Sequence, residues 1–292
     1  MSLRPYLQLL RPANLVTAVA DILAGYCLAV WLASSGTDAS PALAWLCLST
    51  LGLYGGGVVL NDFFDADLDA IERPERPIPS GRVRKSDVGW FGFGLLLLGV
   101  LAAVPAGGYS WQIAAVVAGL TVLYNRFAKH HVFVGPLVMG LCRGGNLLLG
   151  MSAATEALAW GGVAAVPVAY IFAITLVSQG EVHGGVTWKL YVGLLLFVAV
   201  QLVQGAWSFW GGNGLLTLPF VAVHAVFLYP PLFRAIQHPV GPNIGKAVKA
   251  GVISLILMDA AWAAVTGQVW AALAIAALLP VSRFLALKFA VT

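Results

Sequence analysis

The chain has 292 residues, of which 60% are hydrophobic and only 10% are charged, and its formal net charge is +4. Because soluble domains usually carry about a quarter charged residues, this composition excludes a soluble globular protein and indicates an integral membrane protein. Nucleic-acid binding is not expected either, because no basic stripe accompanies a soluble fold. The three cysteines lie in apolar segments at unrelated spacing, which suggests neither a disulfide framework nor a metal site.

Repeated long apolar segments predict an all-α bundle of transmembrane helices and argue against a barrel of short alternating strands. No stretch of ordinary polar composition is longer than a loop, so residues 1–292 are predicted to form a single integral-membrane domain. The predicted spans lie near 13–33, 42–62, 89–106, 111–125, 132–153, 157–177, 190–209, 214–233 and 248–266. A further apolar stretch covers 268–287, so nine spans and ten spans are both compatible with the sequence.

The distribution of basic residues predicts which side of the bundle faces the cytoplasm. The loops 34–41, 107–110, 154–156, 210–213 and 267–268 contain no Lys or Arg, whereas the connections on the other side are basic. By the positive-inside rule, the basic side and the N-terminus are predicted to be cytoplasmic, in the cell (inner) membrane. The first apolar run is followed at once by a second span and shows no small-residue cleavage pattern, so we do not expect a removable signal peptide.

The most informative stretch is 61–81, NDFFDADLDAIERPERPIPSG, at the end of the second predicted span. Asn61, Asp65 and Asp69 are four residues apart, so on a helix they form one polar stripe, which Asp62 and Asp67 widen. Oxygen atoms are the ligands that Mg²⁺ prefers, and Mg²⁺ usually shares its coordination shell with substrate phosphates. The stripe therefore predicts a metal site at the membrane surface.

Basic residues follow this stripe directly. Arg73 and Arg76 come first, and Pro77, Pro79 and Gly81 then end the helix and form a loop. Arginine binds phosphate oxygens through a planar fork of donors. An acidic segment followed at once by a basic one predicts a Mg²⁺–diphosphate site.

A second cytoplasmic connection of interest is 178–189, SQGEVHGGVTWK. Glu181 is its only carboxylate. His183 could be a general base, a ligand or a loop residue without a chemical role, and the last is favoured. Lys189 begins the next helix and is either a phosphate contact or an ordinary topology signal.

Two further pairs of polar residues are candidates for the site. Arg126 and Lys129, in the basic turn YNRFAKHH, could neutralise a diphosphate or could be ordinary positive-inside charge. Arg143 and Asn146 lie inside an apolar span, where buried charge is costly and usually faces a cavity or a partner.

Asp21 and Asp259 raise the same question, because each also lies within an apolar segment. Carboxylates inside a membrane usually face a functional cavity or pair with another polar group. For Asp259, a structural pairing with a neighbouring helix is the alternative to a functional role.

These motifs resemble those of the UbiA superfamily of intramembrane prenyltransferases. The segment Asn61-x3-Asp65-x3-Asp69, with Asp62 and the following Arg76-Pro77-Ile78-Pro79-Ser80-Gly81, is similar to the family's first aspartate-rich motif. The other matching segments are Arg11-Pro12 with Asn14, which resembles the N-terminal signature, and Tyr124-Asn125 with Lys129 and Gly140 through Gly150, which resemble the fourth and fifth helices.

The resemblance implies nine transmembrane helices in a U-shape around a lipid-open central cavity. It also implies Mg²⁺-dependent transfer of an isoprenyl group from a prenyl diphosphate to a small hydrophobic or aromatic acceptor within the membrane. Metal binding is expected at Asn61, Asp65, Asp69 and Glu181, and the last three are the expected catalytic residues. Substrate binding is expected at Arg11, Asn14, Asp62, Arg73, Arg76, Tyr124, Arg126, Lys129, Arg143, Asn146 and Lys189.

One motif departs from the family. The second acidic motif usually reads D-x2-D-x3-D, but the matching positions here are Ser178, Glu181 and Gly185, so a single acid remains. Either Glu181, aided by Ser178, Gln179 and water, is sufficient for a second Mg²⁺, or the second metal is lost. This segment is similar to that of a divergent UbiA-like subgroup, the EboC-like proteins.

There are three alternative functions. Transfer of phosphoribose to a polyprenyl phosphate is an alternative within the family. A catalytically reduced member that binds or carries an isoprenoid-type lipid or metabolite is supported by the depleted second motif. CDP-alcohol phosphotransfer is disfavoured, because its D-G-x2-A-R opening is absent.

Overall fold

The structure is a computed structural model that describes residues 4–33, 40–181, 184 and 187–289. These residues form an all-α bundle, and no β-strand occurs among them. The helices are α1 Arg4–Leu10, α2 Pro12–Leu32, α3 Ser40–Phe64, α4 Ala66–Glu72, α5 Lys85–Ala103, α6 Ser110–Leu123, α7 Val134–Met151, α8 Ala165–Ser178, α9 Thr187–Trp210, α10 Gly214–Gln237, α11 Gly241–Val265, α12 Val269–Ala276 and α13 Leu278–Lys288. A π-helical turn, Tyr124–Ala128, extends α6, and 3₁₀ turns at Val104–Ala106 and Thr155–Ala164 follow α5 and precede α8.

Nine helical segments of the described chain are long and apolar enough to cross a membrane, which confirms the prediction of a multi-pass helical protein. They include Val269–Lys288, the stretch that the sequence left as an additional span, and they exclude α6, which has only 14 residues. The boundary of α11 differs from the prediction, because this helix begins at Gly241 and not near 248. The first turns of α11 contain Lys246 and Lys249, and these charges kept that part of the helix out of the span predicted from apolar residues.

Hydrogen bonds at its two ends show that α6 nevertheless runs the length of the bundle. Ser110 Oγ lies 2.8 Å from Ser152 Oγ, just beyond the end of α7. At the other end, Asn125 Nδ2 donates to the Gly57 carbonyl of α3 at 3.1 Å. With its π-helical turn the segment corresponds to about 28 Å of helix, so it is a further traversing segment beside the nine longer ones.

The segment formed by α12 and α13 runs antiparallel to α2. Gln268 Nε2 donates to the Cys27 carbonyl near the end of α2, and Ser282 Oγ donates to the Ala13 carbonyl near its start. The segment therefore lies along most of α2, and it also packs against α11 through an apolar cluster.

Helices α2 and α7 cross in close contact at the centre of the bundle. A Cβ atom on Gly25 would collide with the backbone of α7 at Leu147, and one on Gly150 would collide with the backbone of α2 at Ile22. Small residues at such a crossing let two helix backbones approach. The two helices therefore pack backbone against backbone at this crossing.

Candidate functional site

A cavity of about 390 Å³ lies between α2, α3, α4, α6, α7, α8 and α11. Its mouth, where α3 ends, is charged, and the mouth-lining side chains are Arg11, Asp65, Asp69, Glu72, Arg73, Arg76 and Glu181. Its deeper wall is largely apolar and is formed by Leu53, Val58, Val117, Met139, Ile171, Ile174, Val248 and Val252. One end of the cavity therefore suits a charged group and the other suits a hydrocarbon.

The acidic stripe lies along one wall of this cavity. Helix α3 ends at Phe64 and α4 begins at Ala66, but helical hydrogen bonds continue across the break, from Asp65 N to Asn61 O and from Asp69 N to Asp65 O. The four-residue spacing therefore still places the three side chains on one face, and Asn61, Asp65 and Asp69 all line the cavity.

Basic side chains neutralise the aspartates of this wall. Lys129 Nζ forms an ion pair with Asp65. Arg76 Nη1 lies 2.8 Å from an oxygen of Asp69 and 3.3 Å from one of Asp62. The predicted metal ligands and the predicted phosphate ligands are therefore in direct contact with one another.

Asp62 does not line the cavity, contrary to its expected role in substrate binding, and instead holds two arginines in place. It is buried, and its Oδ1 accepts hydrogen bonds from Arg11 at 2.8 Å and from Arg76 at 3.3 Å. Arg11 precedes Pro12 with a φ of 46°, and it is the one non-glycine residue with positive φ in the described chain. Such a backbone persists only where its surroundings fix it, and the hydrogen bond to Asp62 is one contact that fixes Arg11.

Asn125 belongs to the Tyr124-Asn125 motif but was not itself predicted as a site residue. It is buried and lines the cavity, its Nδ2 donates to the Gly57 carbonyl, and its Oδ1 accepts from Asn61 Nδ2 at 3.2 Å. This contact orients the amide of Asn61. The signal was available in the sequence, because an asparagine at the end of an apolar helix needs polar partners.

Glu181 faces the acidic stripe from the other side of the mouth. It lies just after α8, it lines the cavity, and its buried Oε1 has no hydrogen-bond partner among the described residues. Burial raises the pKa of this carboxyl above its usual value, and the nearby Arg73 opposes that rise. A carboxylate oxygen that is buried without a donor is a position that a cation would stabilise.

Ser178 and Gln179 contribute less to the expected second metal site than the sequence suggested. Ser178 lines the cavity, but its hydroxyl donates to the Thr175 carbonyl of its own helix. Gln179 points away, because its Nε2 donates to the Val132 carbonyl and its Oε1 accepts from Lys189. The positions of His183 and Gly185 lie outside the described residues.

Two basic residues expected at the site, Arg126 and Lys189, lie away from it, whereas Lys129 does not line the cavity itself but is paired with Asp65, which does. Arg126 is exposed, and its guanidinium lies 5.8 Å from the ring centres of Phe64 and Phe127. Lys189 donates to Gln179 at 2.7 Å and lies over the ring of Trp188. Local partners outside the cavity hold both side chains, so we correct their assignment to substrate binding.

The deeper wall, although largely apolar, also carries one polar cluster inside the bundle. Arg143 and Asn146 line the cavity, as does Thr50, whose hydroxyl donates to Asn146 Oδ1 at 2.7 Å. Arg143 Nε lies 2.6 Å from Asp21 Oδ2, and the same oxygen accepts from Asn146 Nδ2 at 2.8 Å. This network joins α2, α3 and α7, and Asp259 of α11 is buried within electrostatic reach of Asp21 and Arg143.

The remaining predicted side chains also lie at the cavity. Asn14 and Tyr124 line it near the mouth, and Tyr54, deeper on α3, lies under the guanidinium of Arg143 at 5.8 Å. Tyr54 was not predicted, because a tyrosine within an apolar helix is usually a packing residue. The two tyrosines give the otherwise aliphatic wall its aromatic surface.

The donor set suits a hard cation but is not gathered around one point. Among the residues that the structure describes, no group of three or more His, Cys, Asp and Glu side chains is close enough to hold a metal ion. The carboxylates present are nevertheless of the kind that Mg²⁺ takes, and Glu181 offers an oxygen without a donor. Asn61, Asp65, Asp69 and Glu181 are therefore the residues that fit Mg²⁺ in this cavity.

Comparison with known proteins identifies relatives over much of the chain. The sequence profile of the UbiA prenyltransferase family matches residues 22–183, more than half of the chain. The chain is 32% identical over 188 residues to the digeranylgeranylglyceryl phosphate synthase of Methanosarcina mazei. That alignment covers 62% of this chain and 64% of the relative, so the chain spans less than two thirds of that relative's length.

Two solved structures share the fold. A UbiA homologue from Aeropyrum pernix K1, in its apo form, has a TM-score of 0.66 and 16% identity over 84% of this chain and 96% of the other. A UbiA homologue from Archaeoglobus fulgidus, bound to DMAPP and Mg²⁺, has a TM-score of 0.62 and 15% identity over 90% of this chain and 99% of the other. At these identities the likeness concerns the fold alone.

Proposed function

Because the chain belongs to the UbiA prenyltransferase family, we propose that it transfers an isoprenyl group from a prenyl diphosphate to a small acceptor within the membrane, with Mg²⁺ as cofactor. The observation that carries the proposal is the cavity itself, which joins a mouth of acidic and basic side chains to a deep apolar wall. A prenyl diphosphate has the same two parts in the same order.

The basic residues of the mouth would bind the diphosphate. Arg11, Arg73, Arg76 and Lys129 lie along or beside the acidic stripe, and charged donors of this kind bind phosphate oxygens strongly. When bound to Asn61, Asp65, Asp69 and Glu181, Mg²⁺ would supply further positive charge to the leaving diphosphate. Preorganised positive charge at this position favours departure of the diphosphate over its retention.

The apolar wall would hold the isoprenyl tail and keep water away from the reacting carbon. The carbon–oxygen bond breaks, its electron pair leaves with the diphosphate, and an allylic cation remains. The rings of Tyr54 and Tyr124 line this part of the cavity and can stabilise such a cation through their faces. The acceptor then forms the new bond to this carbon and loses a proton.

The proposal also covers the chemical class of the acceptor and the location of the protein in the membrane. An aromatic acceptor is the usual choice in the family, whereas the name of the relative from Methanosarcina mazei points to a glyceryl phosphate. Both classes therefore belong in a test. We further propose that the protein lies in the cell (inner) membrane with the cavity mouth facing the cytoplasm, as the loop charges predict.

The test is turnover by the purified full chain in lipid nanodiscs, with Mg²⁺ and labelled prenyl diphosphates of several lengths. Each donor is offered with aromatic acids, with prenylated glyceryl phosphates and with an extract of the native membrane. We expect donor-dependent release of diphosphate that is lost in Asp65→Ala and in Asp69→Ala. Asp67→Ala is the matched control, because Asp67 lies on the same short helix with a side chain that is 92% exposed.

Turnover that survives in both Asp65→Ala and Asp69→Ala would contradict the proposed site. Donor binding without turnover across all acceptors would favour the second candidate, a family member that binds or carries an isoprenoid-type lipid. The observation that supports this alternative is the single acid, Glu181, at the matching positions of the second motif. Competition by phosphoribosyl diphosphate would indicate phosphoribose transfer.

A further inference from the structure

We propose that the acidic and basic side chains of the cavity mouth exchange partners when Mg²⁺ and a diphosphate bind together, and that each ligand therefore binds weakly without the other. The inference rests on the proposed function for the identity of the two ligands. It concerns the coupling between the two binding events, which neither the fold nor the family resemblance specifies.

Two ion pairs carry the argument. Lys129 and Asp65 are in direct contact, and their side chains are only 8% and 17% exposed. Arg76 and Asp69 are 2.8 Å apart, and their side chains are 15% and 7% exposed. Buried pairs of this kind differ from surface pairs, because removing one partner leaves the other charge desolvated and uncompensated.

Each ligand alone would break these pairs at a cost. A lone Mg²⁺ would draw Asp65 and Asp69 away, leaving Lys129 unpaired and Arg76 with Asp62 alone, both beside a divalent cation. A lone diphosphate would draw Lys129 and Arg76 away and leave two carboxylates facing an anion. When both ligands are present, the carboxylates face the cation and the basic groups face the phosphates, so every charge keeps a partner.

The balance of charge at the mouth favours the same conclusion. Among the described residues, the mouth and its immediate partners comprise five acidic side chains, Asp62, Asp65, Asp69, Glu72 and Glu181, and four basic ones, Arg11, Arg73, Arg76 and Lys129. Charges of opposite sign that nearly balance give little long-range attraction to either ligand alone. The affinity for either ligand must therefore come from ion pairs at the mouth that rearrange on binding.

Asp62 would make the exchange possible with little movement of Arg76. Arg76 Nη1 contacts Asp62 at 3.3 Å as well as Asp69 at 2.8 Å, and Asp62 also holds Arg11. When Asp69 turns toward a metal ion, Arg76 therefore keeps one carboxylate partner. Asp62 is a positioning residue in this scheme, and it stays with the arginines throughout.

The experiment measures binding at equilibrium, with no acceptor present. Mn²⁺ replaces Mg²⁺ as a paramagnetic probe with the same preference for oxygen ligands, and inorganic pyrophosphate replaces the donor. Bound Mn²⁺ is counted by electron paramagnetic resonance on the full chain in nanodiscs, after correction for the complex that Mn²⁺ and pyrophosphate form in buffer. We expect saturating pyrophosphate to raise the affinity for Mn²⁺ on the order of tenfold, and Mn²⁺ to raise the affinity for pyrophosphate by the same factor.

The decisive variant is Lys129→Gln, which frees Asp65 from its partner. It should bind Mn²⁺ more tightly than the parent when pyrophosphate is absent, bind pyrophosphate more weakly, and show a smaller coupling factor. Lys85→Gln is the matched control, because it removes the exposed pair between Lys85 and Asp67 and should change none of the three quantities. Arg76→Gln provides a second variant of the same kind, and thermal unfolding establishes that each variant is folded.

Equal Mn²⁺ affinity with and without pyrophosphate would overturn the proposal, and so would weaker Mn²⁺ binding by Lys129→Gln in the absence of pyrophosphate. Failure to bind either probe would overturn it too. Coupled binding without diphosphate release from any prenyl donor would contradict the proposed enzyme activity alone. Turnover without coupling would contradict this inference alone.

Discussion

Arg143 of α7 lies 2.6 Å from Asp21 of α2, and both side chains are buried inside the bundle. Asp259 of α11 is buried close to this pair, within electrostatic reach of both groups. The pair itself joins α2 to α7 in the deeper part of the cavity.

This arrangement predicts different effects for the two aspartates. Asp21→Asn removes the partner of a buried arginine and should destabilise the protein by about 3–5 kcal/mol. Asp259 forms no ion pair among the described residues and its Oδ2 has no donor, so Asp259→Asn keeps a group of similar size and should cost about 1 kcal/mol or less. Thermal unfolding in detergent checks this order, with Asp67→Asn as the exposed control. Equal loss of stability in both variants would show that Arg143 depends on Asp259 as much as on Asp21.

The crossing of α2 and α7 gives a second prediction. Gly150→Ala places a Cβ against the backbone of Ile22 and should destabilise the bundle by about 1–3 kcal/mol. Gly119→Ala, in α6, meets open space and should be neutral or stabilising by up to about 1 kcal/mol, because alanine is the better helix former. Unfolding midpoints compare the two. A tolerated Gly150→Ala would mean that the helices can separate at this point.

The sequence was sufficient for the parts of the site that depend on spacing along one helix. Four-residue intervals placed Asn61, Asp65 and Asp69 on one wall, and this arrangement survived the break at the end of α3. The sequence could not show whether Lys129 or Arg126 reaches the acidic stripe, because both belong to one basic turn. The π-helical turn at 124–128 decides between them, since it leaves Arg126 outside and turns Lys129 toward Asp65.

Contacts between distant helices were also beyond the sequence. The pairing of Asp21 with Arg143 joins residues that are far apart along the chain, and only the packing of α2 on α7 brings them together. The same holds for α6, whose α-helical part is too short to count as a span by composition. Its passage through the bundle is shown by its hydrogen bonds to Ser152 and Gly57.

Glu181 provides a third prediction, about the second acidic position. Glu181 lines the cavity and has a buried oxygen without a donor, so Glu181→Gln should raise the Mg²⁺ concentration needed for half-maximal diphosphate release about tenfold or more. Glu156→Gln is the matched control, because Glu156 is exposed at the opposite end of the bundle. Unchanged turnover and Mg²⁺ dependence in Glu181→Gln would remove this residue from the metal site.

Asn125 and Arg126 are neighbours in the π-helical turn, but only Asn125 contacts the acidic stripe. Asn125 fixes the amide of Asn61 and is fastened to Gly57, whereas Arg126 points out of the bundle. Asn125→Ala should therefore lower diphosphate release about 10- to 100-fold, because outer partners of metal ligands commonly matter to that degree. It should also weaken Mn²⁺ binding, which a role in packing alone would leave unchanged. Arg126→Gln should retain both activity and Mn²⁺ binding, and the reverse result would place the substrate on the outer face of this turn.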